Sequence, residues 1–120
     1  MIMPATLLIG FSLTINVADV VPRYDMKPTC RAAVALAAGG DGGRSIENCM
    51  AGEEQARKEI DKAWLKTPSA ERSQCIGTVA VGGSPSYVEL VVCLEMMRDS
   101  RTHREEQRTK NAQRSTSKKP

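Results

Sequence analysis

Four cysteines constrain the fold of this chain more than any other feature: Cys30, Cys49, Cys75 and Cys93. They are separated by intervals of 18, 25 and 17 residues, and each lies in or beside a segment with the pattern of a helix. Small exported domains often use disulfides to compensate for a thin hydrophobic core. The sequence therefore predicts an all-α fold, a small bundle of three to four helices stapled by two disulfides.

Chain length and composition support the need for such staples. The chain has 120 residues, and its aromatic side chains are Phe11, Tyr24, Trp64 and Tyr87 only. We expect the folded domain to span residues 29–102, and a domain of that size is marginally stable without help. A disulfide that closes a loop of this length contributes about 3 kcal/mol in the chain-entropy model, so two disulfides match the expected net stability.

The N-terminal segment, residues 1–18, has no charged side chain. Its apolar run from Pro4 to Ile15 and the small residue Ala18 are typical of a cleaved signal peptide, and this is the interpretation that we favour. An uncleaved membrane anchor and a buried N-terminal element are the alternatives, because the run is close to the length of a membrane span and no Lys or Arg precedes it. Residues 19–28 are predicted to be an exposed linker.

Helix signals recur through the body of the chain. Pro28 or Thr29 opens a first helix that continues to Ala38, where the glycine-rich segment 39–43 ends it. Ser45 is a good N-cap for a second helix over residues 46–66, whose apolar positions recur at helical spacing. A short third helix is predicted over residues 68–76, and residues 77–83 are predicted to be an extended connection because they are apolar, β-branched and bounded by glycine.

The clearest local signal precedes the last helix. Ser86 and Glu89 form the pattern of a capping box, in which each side chain bonds the backbone of the other residue. The first three turns that follow are almost wholly apolar, so we expect this helix to be the most buried one. Beyond Arg98 the sequence becomes polar, and residues 103–120 are predicted to form a disordered basic tail.

The positive charge of the chain belongs to this tail. From Arg101 onwards there are seven basic residues and two acidic ones, while the rest of the chain has ten basic and twelve acidic residues. The basic side chains are candidates for binding an anionic membrane or polysaccharide surface through non-specific charge. No aromatic side chain lies among them, so specific nucleic-acid binding is not expected. They are Arg101, Arg104, Arg108, Lys110, Arg114, Lys118 and Lys119.

Catalytic and metal-binding patterns are missing from the sequence. Structural zinc sites use closely spaced cysteine pairs, and here the nearest two cysteines are 18 residues apart. His103 is the only histidine and lies in the tail, so no histidine in the body can activate a nucleophile. The carboxylates of Glu47, Glu53 and Glu54 are interpreted as a solvated helix face. We therefore expect no enzyme activity, no cofactor and no metal.

Two features of residues 28–99 are distinctive: the order of the four cysteines and the run Ser86-Tyr87-Val88-Glu89-Leu90. On these features the chain resembles a group of small four-cysteine proteins of rhizobia and related bacteria that are predicted to be exported. The resemblance implies a helical fold and a location in the bacterial envelope. It implies no activity.

Three pairings of four cysteines are possible. We favour Cys30–Cys49 with Cys75–Cys93, because each disulfide would staple one helix–loop–helix unit. The interlocked alternative is Cys30–Cys93 with Cys49–Cys75. The functional hypothesis is a non-enzymatic structural or partner-binding role in the envelope, in the periplasm or outside the cell, with an unknown protein or envelope partner. Binding of an anionic membrane or polysaccharide through the basic tail is the alternative.

Overall fold

The computed structural model describes residues 19–37 and 45–118, and over these residues the chain is helical without any β-strand. The elements in chain order are α1 (Met26–Ala37), α2 (Ile46–Ala63), a 3-10 turn (Trp64–Lys66), α3 (Ser69–Ala80) and α4 (Tyr87–Ser117). The prediction of an all-α fold of three to four helices is confirmed. The predicted signal peptide, the glycine-rich segment 39–43 and Lys119 lie outside the described residues.

Two disulfides join the helices in pairs. Cys30 of α1 is bonded to Cys49 of α2, and Cys75 of α3 is bonded to Cys93 of α4. The favoured pairing is therefore confirmed, and the interlocked alternative is excluded. The molecule consists of two stapled helical hairpins, α1–α2 and α3–α4, and contacts between α2 and α4 hold the hairpins together.

The core lies between α2 and α4 and is filled by side chains from every helix. On α2, Ile60 and Ala56 are buried on one face, and Trp64 continues that face into the 3-10 turn. Leu90 of α4 is fully buried and is one of the largest such side chains. Ser45 caps α2 as predicted, because its hydroxyl accepts a hydrogen bond from the Asn48 N–H at 3.1 Å.

The predicted extended connection after Ile76 was wrong. Helix α3 continues through Gly77, Thr78 and Val79 to Ala80. Val79 lies one turn beyond Cys75 and is buried in the core, so tertiary packing overrides the weak helix preference of a β-branched residue. The reversal comes later, at Gly83, whose φ of +75° lies in the left-handed region that glycine adopts readily.

The segment that precedes α1 is packed against the domain, although the sequence suggested an exposed linker over residues 19–28. The hydroxyl of Tyr87 accepts a hydrogen bond from the Tyr24 N–H and donates one to the Pro22 carbonyl, both at 2.9 Å. The rings of Tyr24 and Tyr87 lie 4.9 Å apart, and Met26 is buried in the core. One aromatic residue of α4 therefore fixes the start of the described chain.

The basic tail was predicted to be disordered, and the structure instead has it helical through Ser117. No glycine or proline interrupts residues 87–117, and most of the tail consists of good helix formers such as Arg, Lys, Glu and Gln. The tail continues a helix that the core has already nucleated, so it avoids the unfavourable first turn. The hydroxyls of Thr102 and Thr109 donate to carbonyls four residues earlier, which is the usual way that a hydroxyl within a helix is satisfied.

Candidate functional site

A buried carboxylate fixes the start of α4, the helix that carries the candidate site. Glu53 of α2 accepts hydrogen bonds from the Ser86 hydroxyl and the Tyr87 N–H, each at 2.7 Å, and from the Val88 N–H at 3.3 Å. The Ser86 hydroxyl in turn accepts from the Glu89 N–H. The negative charge lies at the positive end of the helix dipole. Glu53 therefore joins the two hairpins through hydrogen bonds.

The interpretation of Glu53 as part of a solvated face was wrong, although Glu47 and Glu54 are exposed. Glu53 is only 6% exposed. The sequence position of Glu53 indicates burial, because Glu53 lies four residues after Cys49 and three before Ala56, on the apolar stripe of α2. In the predicted capping box, Ser86 is paired with a different acid from the expected Glu89. The acid that complements Ser86 comes from another helix, and the local Glu89 is exposed.

Helix α4 extends well beyond the helices that pack against it. The side chain of Arg101 forms an ion pair with Glu71 of α3 at 3.0 Å, and the end of α2 lies near Arg98. Residues 102–117, which we name the projecting half of α4, are all exposed. At 1.5 Å per residue this half is about 24 Å long. It presents an exposed helical surface to solvent.

The predicted anionic-surface residues fall into two groups in the structure. Arg101 belongs to the folded body through its ion pair with Glu71. Five others, Arg104, Arg108, Lys110, Arg114 and Lys118, are exposed, and no ion pair among the described residues includes them. The acidic side chains in this part of α4 are Glu105 and Glu106. The five cations therefore leave an excess of positive charge exposed to solvent.

The exposed cations lie on different faces of α4. Arg104 and Arg108 continue the face that packs on the core, since Arg104 follows Met97 by seven residues and Arg108 follows Arg101 by seven. Lys110 and Arg114 lie on the outward face, because Lys110 is fourteen residues beyond Met96. The positive charge therefore surrounds the helix, with Arg104 and Arg108 on its core-facing side and Lys110 and Arg114 on its outward side.

An apolar groove lies beside this helix, between α3 and α4. It has a volume of about 490 Å³ and is lined by Thr78, Val88, Glu89, Val92, Cys93, Met96, Met97 and Ser100. Val88, Val92 and Met96 follow one another at intervals of four residues and are 44%, 47% and 67% exposed. The expectation that α4 is the most buried helix was therefore wrong, since Tyr87 and Leu90 are its only buried residues among those described. Its outward face is apolar and uncovered, which is typical of interaction sites.

The side chains most suited to chemistry are separated from one another in the part of the chain that the structure describes. All four cysteines are in disulfides. Within residues 19–37 and 45–118 there is no cluster of three or more His, Cys, Asp or Glu side chains able to hold a metal ion. His103 is exposed on the projecting half of α4, and the Glu53 carboxylate is used as a helix cap.

No family model, curated protein or solved structure matches the chain. Among the helices of the described residues, none is long and apolar enough to span a bilayer. Two disulfides are typical of proteins in oxidising compartments, outside the cytosol.

Proposed function

We propose that this protein is an exported, non-enzymatic protein of the bacterial envelope that binds a partner through the projecting half of α4. The observation that carries the proposal is the exposure of residues 102–117 in a helix that stands on a disulfide-stapled body. A helix of about 24 Å without core contacts contributes little to the stability of the domain. A role in partner binding accounts for a helix that extends this far beyond the body.

Three observations support the compartment and the absence of catalysis. The two disulfides fit the periplasm or the extracellular space, where thiols are oxidised. The resemblance to exported four-cysteine proteins of rhizobia points to the same compartment. The groups most suited to chemistry, four cysteines and one buried carboxylate, have structural roles in the described residues.

Site-specific photo-crosslinking in the bacterium that encodes the protein tests this proposal. We expect a photoreactive residue in place of Asn111, which is exposed on the projecting half of α4, to give a discrete adduct in the envelope fraction. The matched control replaces Gln55, which is exposed on α2. Equal labelling at both positions, or a protein found in the cytosol, would contradict the proposal.

A second candidate is the binding of an anionic membrane or polysaccharide by the same helix. The observation that favours it is the composition of residues 102–118, with five basic and two acidic side chains, all exposed. Binding through charge alone weakens as salt is added. A chain that ends after Thr102 keeps the Arg101–Glu71 ion pair and should lose binding to vesicles of anionic lipid at low salt. Unchanged vesicle binding would exclude this candidate.

A further inference from the structure

The outward face of α4 is apolar at one end and basic at the other. Both ends have side chains at successive intervals of four residues, and all six of these side chains are exposed. The apolar row is Val88, Val92 and Met96, and the basic row is Lys110, Arg114 and Lys118. His103 lies midway on the same face, seven residues from Met96 and seven from Lys110. The two rows are therefore placed symmetrically about His103.

Acidic side chains flank the apolar row. Glu89, Glu95 and Asp99 are exposed, and Glu89 also lines the groove between α3 and α4. These carboxylates repel an acidic partner or an anionic bilayer and attract a basic segment. Residues 102–118 are such a segment, because they are exposed, helical through Ser117, and contain five basic and two acidic side chains. One half of α4 is therefore complementary in charge to the other half.

Two copies of α4 that lie antiparallel, with His103 at the centre, bring the complementary halves together. In that arrangement Met96 lies opposite Lys110 of the second copy, since both are seven residues from the centre. Val92 lies opposite Arg114 of the second copy for the same reason. The aliphatic stems of lysine and arginine can cover apolar side chains while their charged ends reach carboxylates at the edge of the contact. Two-fold symmetry then forms the same contact twice.

The folded body leaves this face of α4 free for such a contact. Leu90 is buried and Arg101 pairs with Glu71, and both lie on the side of α4 opposite to the two rows. In the antiparallel pair the two bodies therefore lie at opposite ends and on opposite sides. Helix α4 has 31 residues and is about 46 Å long, so contacts that are weak individually can add up along it.

We propose that the partner of the projecting half of α4 is a second copy of this chain, bound antiparallel along the face that carries the two rows. The projecting half of each copy lies over the apolar groove of the other copy, so two identical sites form together. The inference rests on the proposed function and specifies the partner. Arg104 and Arg108 lie on the core-facing side of α4 and take no part in the pairing.

Charge reversal on two faces of α4 tests the pairing. Sedimentation equilibrium at low salt should show a dimer that dissociates as salt is added, because exposed ion pairs are screened. K110E/R114E should weaken the dimer at least about tenfold, whereas R104E/R108E, with the same change of net charge, should leave its dissociation constant within about twofold. All four cations are exposed, so both variants should keep the helical circular dichroism of the parent chain.

Single cysteines on the paired face test the antiparallel direction. The native cysteines are all in disulfides, so a short thiol-specific crosslinker reacts only with an added cysteine. A mixture of the Met96→Cys and Lys110→Cys chains should give a covalent dimer, because these positions lie opposite each other. Neither chain alone should do so, since equivalent positions, each seven residues from the centre, lie about 21 Å apart along the pair.

The outcomes separate this inference from the function on which it rests. Crosslinks from each chain alone but not from the mixture would mean parallel pairing, and equal losses in the two double variants would mean that net charge alone acts; either result would overturn the inference. A chain that stays monomeric while position 111 gives a discrete adduct with another protein would overturn the inference and leave partner binding intact. A monomer without any adduct would overturn both.

Discussion

Removal of the Glu53 carboxylate should destabilise the protein more than any other change of a single polar side chain described above. The carboxylate is buried and accepts three hydrogen bonds, two of them at 2.7 Å, from the first residues of α4 and from Ser86. Glu53→Ala would leave these donors without a partner at the point where α2 meets α4. Glu53→Gln would keep the shape of the side chain and remove the charge.

The magnitude follows from the three hydrogen bonds. A hydrogen bond to a charged group contributes about 1.5 kcal/mol at the lower end of the usual range, which gives about 4 to 5 kcal/mol for three. These values are already net of desolvation, and the bond from the Val88 N–H is longer than the other two, at 3.3 Å, and therefore weaker, so the sum lies nearer to about 3 kcal/mol. We therefore expect a loss of about 3 kcal/mol for Glu53→Ala and about 2 kcal/mol for Glu53→Gln, since the amide oxygen still accepts.

Urea unfolding followed by circular dichroism, with the disulfides intact, measures these losses. For a domain of this size a loss of about 3 kcal/mol also lowers the melting temperature by about 12 to 24 °C. The matched control is Glu54→Gln, because Glu54 is the exposed neighbour and pairs only with Arg57 on the surface of α2. If both Glu53 variants unfold at the same urea concentration as the control, the hydrogen bonds do not join the hairpins and the reasoning fails.

Three further predictions concern other parts of the structure. Replacement of Cys30 and Cys49 together by alanine should lower the free energy of unfolding by about 3 kcal/mol, measured in urea, and no loss would show that the loop-entropy estimate does not hold here. Tyr87→Phe removes the hydroxyl that bonds Tyr24 and Pro22, so it should cost about 1 to 2 kcal/mol and speed hydrogen exchange of the Tyr24 amide; unchanged exchange would count against this contact. A chain that ends after Thr102 should keep the melting temperature of the full chain, since the projecting half of α4 has no buried residue, and a clear fall would mean that it contacts the core.

The helical class and the disulfide pairing could be predicted because both depend on local sequence. Cysteines about twenty residues apart, on segments that read as consecutive helices, can meet when the intervening loop reverses the chain. Ser45 and Ser86 were recognisable as caps for the same reason, because each bonds an N–H three residues further along.

The features that sequence reasoning missed depend on partners far along the chain. The local sequence around Glu53 is typical of a solvated residue. Its burial depends on Ser86 and Tyr87, which lie more than 30 residues later in the chain and donate hydrogen bonds to it. Val79 has the local preference of a strand residue, and only its burial in the core accounts for its place in α3. The order of residues 103–117 depends on a helix that the core nucleates upstream. Each of these outcomes is a tertiary effect that local preference cannot reveal.

The connections within the body bear on the proposed binding role of the projecting half of α4. A projecting helix has a defined direction only if its base cannot tilt. The base of α4 is held at three levels: Glu53 bonds its first turn, the Cys75–Cys93 disulfide ties its second turn to α3, and Glu71 pairs with Arg101 in its fourth turn. These contacts come from two different helices, so they resist rotation about either one. Binding by a helix with this fixed direction avoids the entropic cost of ordering a flexible tail. We therefore expect Glu53→Gln to reduce the photo-crosslinked adduct at position 111 even though Glu53 is distant from that position, and an unchanged adduct from a folded Glu53→Gln protein would show that the base of α4 does not set its direction.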